Sequence, residues 1–202
     1  MYEKIEKNSL EIIAIILLIL TIFSLATLNI VFDKESNIDF PRAQQIENQE
    51  STITEIIEYF NDNETYLSSN LTEKETFHMK DVKNIIVFIK NLALFSLISL
   101  SAIIIYLIKT KQNPGKILII GSLITIFISL ILAISFLNFN TSFEAFHKIL
   151  FTGNWTFPAE SILIRLFPLE FFINAAKNIL IMSIIGSIAL FLSGIILKRL
   201  KY

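Results

Sequence analysis

Four stretches of this 202-residue chain run for 18 to 21 positions without a charged side chain: 12–32, 91–108, 117–137 and 178–197. A helix rises 1.5 Å per residue, so about 20 apolar residues cover the roughly 30 Å hydrocarbon core of a bilayer. In lipid every backbone polar group must find its partner within the protein, which leaves helices as the natural form for such runs. The chain is 53% hydrophobic and 17% charged, against about 25% charged in a typical soluble domain. The fold class that follows is all-α: a polytopic membrane protein with four transmembrane helices and short extracytoplasmic helices packed at the outer membrane face. We place the spans at about 10–32, 85–108, 117–137 and 176–197, with extracytoplasmic segments 33–83 and 138–175, in one membrane domain covering 1–202. The first run is too long for a signal-peptide core and no small-residue cleavage site follows it, so it reads as an uncleaved anchor.

Lysine and arginine in the short flanks set the orientation. Lys4 and Lys7, then Lys109, Lys111 and Lys116, then Lys198, Arg199 and Lys201 fall on one side of a four-span chain, the cytoplasmic one, with both termini there. The segment 33–83 then lies outside, and it is strongly acidic. A formal net charge of −1 and the lack of a basic stripe argue against a nucleic-acid partner. With no cysteine, disulfides, zinc-thiolate sites and thiolate nucleophiles are excluded together. Gly121, Thr125, Ser129 and Ala133 recur at four-residue spacing in the third span, a stripe of small residues that lets a neighbouring helix approach.

The outer segments carry the chemistry. Thr52 and Glu55 form a capping-box pattern ahead of Ile53, Ile56, Ile57 and Phe60, which share one helical face. Thr72 and Glu75 form a second, from which a helix is expected to run unbroken through Phe77, His78 and Asp81 into the second span. On that helix Glu75, His78 and Asp81 share a face, where a carboxylate can orient the imidazole. Lys90 and Asn91 carry polar character into the span, where ionisable groups are costly and face the bundle interior; snorkelling to the interface is the alternative for Lys90. The second outer segment is neutral and rich in aromatics, including Phe143, Phe146, Phe151, Trp155, Phe157 and Phe172. Such a stretch belongs at or within the outer leaflet. Pro158 and Pro168 each suit a first helical position, and Ser142 suits the cap of the helix that would carry His147.

The two histidines of the chain thus fall one in each outer segment, at the same membrane face. An isolated interfacial histidine is ordinarily structural, but two that converge beside an aromatic wall and Arg165 make a candidate site. No Gly-x-Ser-x-Gly elbow, phosphate loop or His-Glu-x-x-His motif occurs. The reading is a site without cofactor or metal; a metal shared by His78, His147 and Asp81 is the minority alternative.

At these residues the chain resembles a known family. The stretches TEKETFHMKDVK at 72–83, FHKILFTGNWTF at 146–157 and LIRLFPLEFF at 163–172 are similar to those of the bacterial four-span lipoprotein intramolecular transacylases, with the spans in the same order. The resemblance implies an activity: the sn-2 acyl chain of a lipoprotein's diacylglyceryl group moves to the α-amine of its N-terminal cysteine, giving a lyso-form lipoprotein. It implies His78 and His147 as the catalytic pair, with either as the base. Asp81, Glu75 and Arg165 are candidate supporting or oxyanion groups, and Lys90, Asn91, Phe146, Phe151 and Trp155 candidate substrate-lining residues. The implied partners are a diacylated lipoprotein and membrane lipid at the cell membrane. A non-enzymatic membrane scaffold or lipid-binding assembly partner is the rival reading.

Overall fold

The computed structural model describes residues 2–34, 37, 49–62, 67, 71–153 and 155–199, with residues 2–7 described by backbone alone. The described residues contain no strand. The helices are α1 (Tyr2–Phe32), α2 (Gln49–Phe60), α3 (Glu73–Lys109), α4 (Gly115–Ala133), α5 (Phe139–Leu150), α6 (Ile162–Leu166) and α7 (Leu169–Arg199), with a 3-10 helix at Ile134–Asn138 between α4 and α5. Among the described residues four stretches of helix are long and apolar enough to cross a membrane: Asn8–Phe32, Glu73–Lys109, Gly115–Leu150 and Leu169–Arg199. Large apolar residues such as Phe88, Phe95, Phe127 and Ile185 are exposed along them, the pattern expected where lipid rather than water is the neighbour. At 37 residues α3 measures about 55 Å, nearly twice the hydrocarbon thickness. Its long charge-free run is 91–108, so the turns bearing Glu75 and His78 project beyond the apolar stretch.

The chain forms two compact units. The first comprises Met1–Thr27, Lys90–Ala133 and Ile179–Tyr202. Its core joins Ala14, Leu17, Leu18 and Ile22 of α1 to Leu100 and Leu107 of α3 and Ile117 and Leu118 of α4. The small residues work here as close-packing points: a Cβ on Gly121 would meet Leu18 at 3.0 Å, and one on Gly115 would come within 2.6 Å of the Gly194 carbonyl oxygen. Gly121, Thr125 and Ser129 are buried, but Ala133 is exposed, so the stripe ends a turn earlier than its spacing suggests. The hydroxyl of Thr21 donates to Ser96 at 3.0 Å, tying α1 to α3 where no water competes. Lys116 pairs with Glu11 at 2.7 Å, and Asn113 Nδ2 donates to the Leu197 carbonyl at 2.7 Å, closing the turn between α3 and α4 against α1 and α7.

The second unit comprises Leu28–Ile89 and Ile134–Asn178. Its core joins Ile53, Ile56, Tyr59 and Phe60 of α2 to Met79 and Ile86 of α3 and to Leu163 and Leu166 of α6. Each such side chain contributes about 1.5–3 kcal/mol by leaving water. The amphipathic face of α2 is as its sequence implies, but the helix starts at Gln49, so Thr52 lies within the helix rather than at its cap. Two further boundaries differ from the sequence reading. Asn138, not Ser142, caps α5, its side chain accepting from the Thr141 amide at 3.3 Å, while the Ser142 hydroxyl donates to the Ser135 and Asn138 carbonyls. Pro158 lies in a turn before α6, whose cap is Ser161, whereas Pro168 does stand immediately before α7. Lys4, Lys7 and Lys201 lie outside the described side chains.

Candidate active site

Glu75 sets where α3 begins and what packs on its first turns. Its Oε2 accepts from the Thr72 amide at 2.8 Å and the Thr72 hydroxyl at 2.7 Å, and its own amide donates to Thr72 Oγ1 at 3.3 Å, completing the capping box. Its Oε1 accepts from the Leu163 amide at 3.1 Å, which anchors the start of α6. The side chain is 1% exposed. Burial pushes its carboxyl pKa up, but the hydrogen bonds from Thr72, Leu163 and the Ile162 amide outweigh this and hold it below the usual glutamate value. Both oxygens are engaged away from the imidazole one turn on.

His78 and His147 converge within this second unit. Their ring centroids lie 6.4 Å apart with planes inclined by 24°, and they are 8% and 6% exposed. Phe151 packs against both, 4.7 Å from His78 and 5.4 Å from His147. Phe157 lies edge-on to His78 at 5.4 Å. Around His147 stand Phe143 at 4.0 Å, Trp155 at 5.2 Å, Phe146 at 5.6 Å and Phe172 at 6.3 Å.

The two imidazoles are held differently. His147 Nδ1 lies 2.8 Å from the Phe143 carbonyl oxygen, one turn back on α5. A carbonyl only accepts, so Nδ1 carries the hydrogen and Nε2 of the neutral ring keeps its lone pair. His78 Nδ1 is buried and has no hydrogen-bond partner. Burial pushes the His78 pKa down to about 4, helped by repulsion from His147 and opposed by the Asp81 carboxylate. Burial also lowers His147, against a raising influence from its bond to Phe143. Both rings are therefore neutral near pH 7.

The other sequence candidates are placed as follows. Asp81 is half-buried one turn beyond His78. Arg165 is exposed on α6, whose Leu163 and Leu166 are buried. Lys90 and Asn91 lie on α3 twelve and thirteen residues past His78, about 18–20 Å along the helix, with Lys90 half-buried and Asn91 exposed. Phe143, Phe157 and Phe172 join the site although only their aromatic character pointed to them; the Phe143 carbonyl had no signal of its own. Among the described residues no group of three or more histidine, aspartate and glutamate side chains is placed to hold a metal ion.

A multi-pass helical membrane protein with a buried, uncharged histidine pair in an aromatic wall is the class these features define. Residues 9–172 match the family model described as lipoprotein intramolecular transacylase Lit, and the chain belongs to that acyltransferase family. The in meso structure of the membrane integral lipoprotein intramolecular transacylase Lit from Bacillus cereus is similar over 95% of both chains, with a TM-score of 0.86 and 28% identity. A second structure of the Bacillus cereus protein, with one histidine replaced by alanine, covers 98% of this chain and 96% of its own at a TM-score of 0.82 and 28% identity. An uncharacterized protein of Aquifex aeolicus (strain VF5) is 27% identical over 130 residues, which span 63% of this chain and 58% of that protein.

Proposed function

We propose that this protein moves the sn-2 acyl chain of a lipoprotein's diacylglyceryl group to the α-amine of its N-terminal cysteine, with His147 as the base. The observation that carries the assignment is the bond from His147 Nδ1 to the Phe143 carbonyl, which leaves Nε2 as a lone pair in a buried, aromatic site. The uncharged amine attacks the ester carbonyl, and a C–N bond forms. His147 Nε2 takes the proton that the nitrogen sheds in the tetrahedral intermediate and delivers it to the sn-2 oxygen as the C–O bond breaks. The products are an amide and a free glyceryl hydroxyl, so atoms balance with no co-reactant. His78, neutral and with Nδ1 unpartnered, supplies the hydrogen bond that stabilises the oxyanion, a contribution of about 3–4 kcal/mol where water is excluded. A neutral imidazole suits this donor role because it does not compete as an acid for the amine's electrons.

Amine and ester belong to one molecule, so much of the acceleration comes from holding them in a near-attack geometry. Phe146, Phe151 and Trp155 form the apolar surface for the acyl chains. Glu75 holds the frame behind His78, and Asp81 and Arg165 complete the polar rim. The site faces the outer leaflet: the contacts of Glu11 with Lys116 and of Asn113 with Leu197 gather the lysine-bearing ends of the spans together, which supports a cytoplasmic position for both termini.

The test is mass spectrometry of lipoprotein N-termini in a host that lacks lyso-form lipoproteins, expressing this chain. Wild type should convert diacylated lipoproteins to the lyso-form, and His147→Ala and His78→Ala should each abolish conversion. Absence of the lyso-form with well-expressed wild type, or full activity in both variants, refutes the proposal.

A further inference from the structure

Two consecutive residues of the capping turn of α3 grip the segment that carries Phe157. Lys74 Nζ donates to the Thr156 carbonyl at 2.7 Å and stands 5.2 Å over the Phe157 ring. Glu75 Oε1 accepts from the Leu163 amide at 3.1 Å. The stretch 156–163 is therefore pinned at both ends from one turn of helix, three to four residues before His78. No regular helix supports it between Thr156 and Ser161. Phe157 thus contacts both Lys74, which stands over its ring, and His78, whose ring lies 5.4 Å away at an interplanar angle of 60°.

We infer that Lys74 is a positioning residue: together with Glu75 it clamps the 156–163 segment so that Phe157 shields His78, and the shield directs the acyl chain to the amine rather than to water. Its physical basis is the competition inherent in the reaction. Water is a weaker nucleophile than an amine but far more abundant, and the base that assists the amine can assist water, so a site that transfers rather than hydrolyses must exclude water from the carbonyl. Glu75 is buried and fixes the far end of the segment, whereas Lys74 is exposed and holds the near end by a charge-assisted hydrogen bond and a cation–π contact. Lys74 touches neither histidine in this arrangement; it acts through Phe157. The inference rests on the transacylase reading for its activity arm alone.

The experiment compares Lys74→Met, which keeps the aliphatic stem, with Lys74→Arg, which restores the donor and the cation. Two readouts are taken from each purified protein in lipid bicelles. One is acrylamide quenching of Trp155, the sole tryptophan of the chain and the neighbour of Thr156. The other is the ratio of lyso-form to free fatty acid released from a synthetic diacylated lipopeptide. Losing both contacts shifts the equilibrium between held and released segment by about fivefold, so Lys74→Met should quench about twofold more readily and shift product toward free fatty acid, with Lys74→Arg near wild type on both. In a Phe157→Ala background, Lys74→Met should add nothing to hydrolysis, the coupling expected of residues that act through one another. Unchanged quenching and an unchanged product ratio in Lys74→Met overturn the clamp, as does lost transfer with neither readout moved. If wild type forms no lyso-form yet Lys74→Met still exposes Trp155, the transacylase reading falls and the clamp stands.

Discussion

The pH dependence of acyl transfer separates the proposed roles of the two histidines. At pH 7, three pH units above the value of about 4 to which burial and His147 push His78, roughly one His78 ring in a thousand is protonated. If that ring works as a neutral donor, its titration lies outside the working range and imposes no descending limb. His147, also lowered by burial, must be neutral to accept the proton, so protonation of Nε2 shuts the reaction off only in acid. The remaining titration belongs to the substrate: an α-amine of pKa about 7.7–8.0 is about one-seventh uncharged at pH 7. The rate at limiting substrate should therefore rise about sevenfold from pH 7 to pH 9 and level off, and fall more steeply in acid as His147, held below its ordinary value by burial, protonates. The assay is lyso-form production from a synthetic diacylated lipopeptide in bicelles, in half-unit steps from about pH 5 to about pH 9. A protonated His78 acting on the oxyanion would instead give a bell, its activity falling through neutrality as the imidazolium is lost. A maximum between about pH 5 and pH 7 refutes the neutral-donor assignment.

Three further outcomes follow from packing and hydrogen bonding. Glu75→Ala removes an acceptor that is itself only 1% exposed; leaving the buried Leu163 amide unpaired and the part-buried Thr72 amide without its cap should cost about 3 kcal/mol and lower the midpoint of a thermal unfolding scan in detergent, with Glu75→Gln retaining part of it. Phe151→Ala removes the ring that packs against both imidazoles and should cost about 3–5 kcal/mol in the same scan; by admitting water it should raise the His78 pKa, read as the pH midpoint of its Cε1 resonance in a histidine-labelled sample. Gly115→Ala places a Cβ 2.6 Å from the Gly194 carbonyl oxygen and should destabilise by about 1–3 kcal/mol, whereas a Cβ at Gly186 meets nothing within 4 Å, so Gly186→Ala should melt at or above wild type.

What the sequence reveals here is governed by the range of the interaction involved. The spans were legible because exclusion of charge from hydrocarbon acts on each residue independently, and the start of α3 was legible because a capping box is complete within four residues. Where two short polar residues competed to begin a helix, as Asn138 and Ser142 did for α5, local pattern chose wrongly: the hydroxyl of Ser142 is satisfied by the Ser135 and Asn138 carbonyls, and the helix starts a turn earlier. Glu75 shows the deeper limit. Its spacing correctly placed it on the same helix as His78, one turn away, and suggested that it orients the imidazole. Its second oxygen instead meets an amide 88 residues on, a partner no periodicity within 72–83 encodes. The carboxylate expected to set a tautomer supports α6, and the tautomer of the other histidine is set by the Phe143 backbone carbonyl of its own helix. That substitution has a chemical consequence. A carboxylate bonded to Nδ1 would raise the basicity of His147 and favour its protonated form, whereas a neutral carbonyl fixes the same tautomer with a weaker pull, leaving a base that is uncharged at neutral pH and sheds its proton readily to the departing glyceryl oxygen.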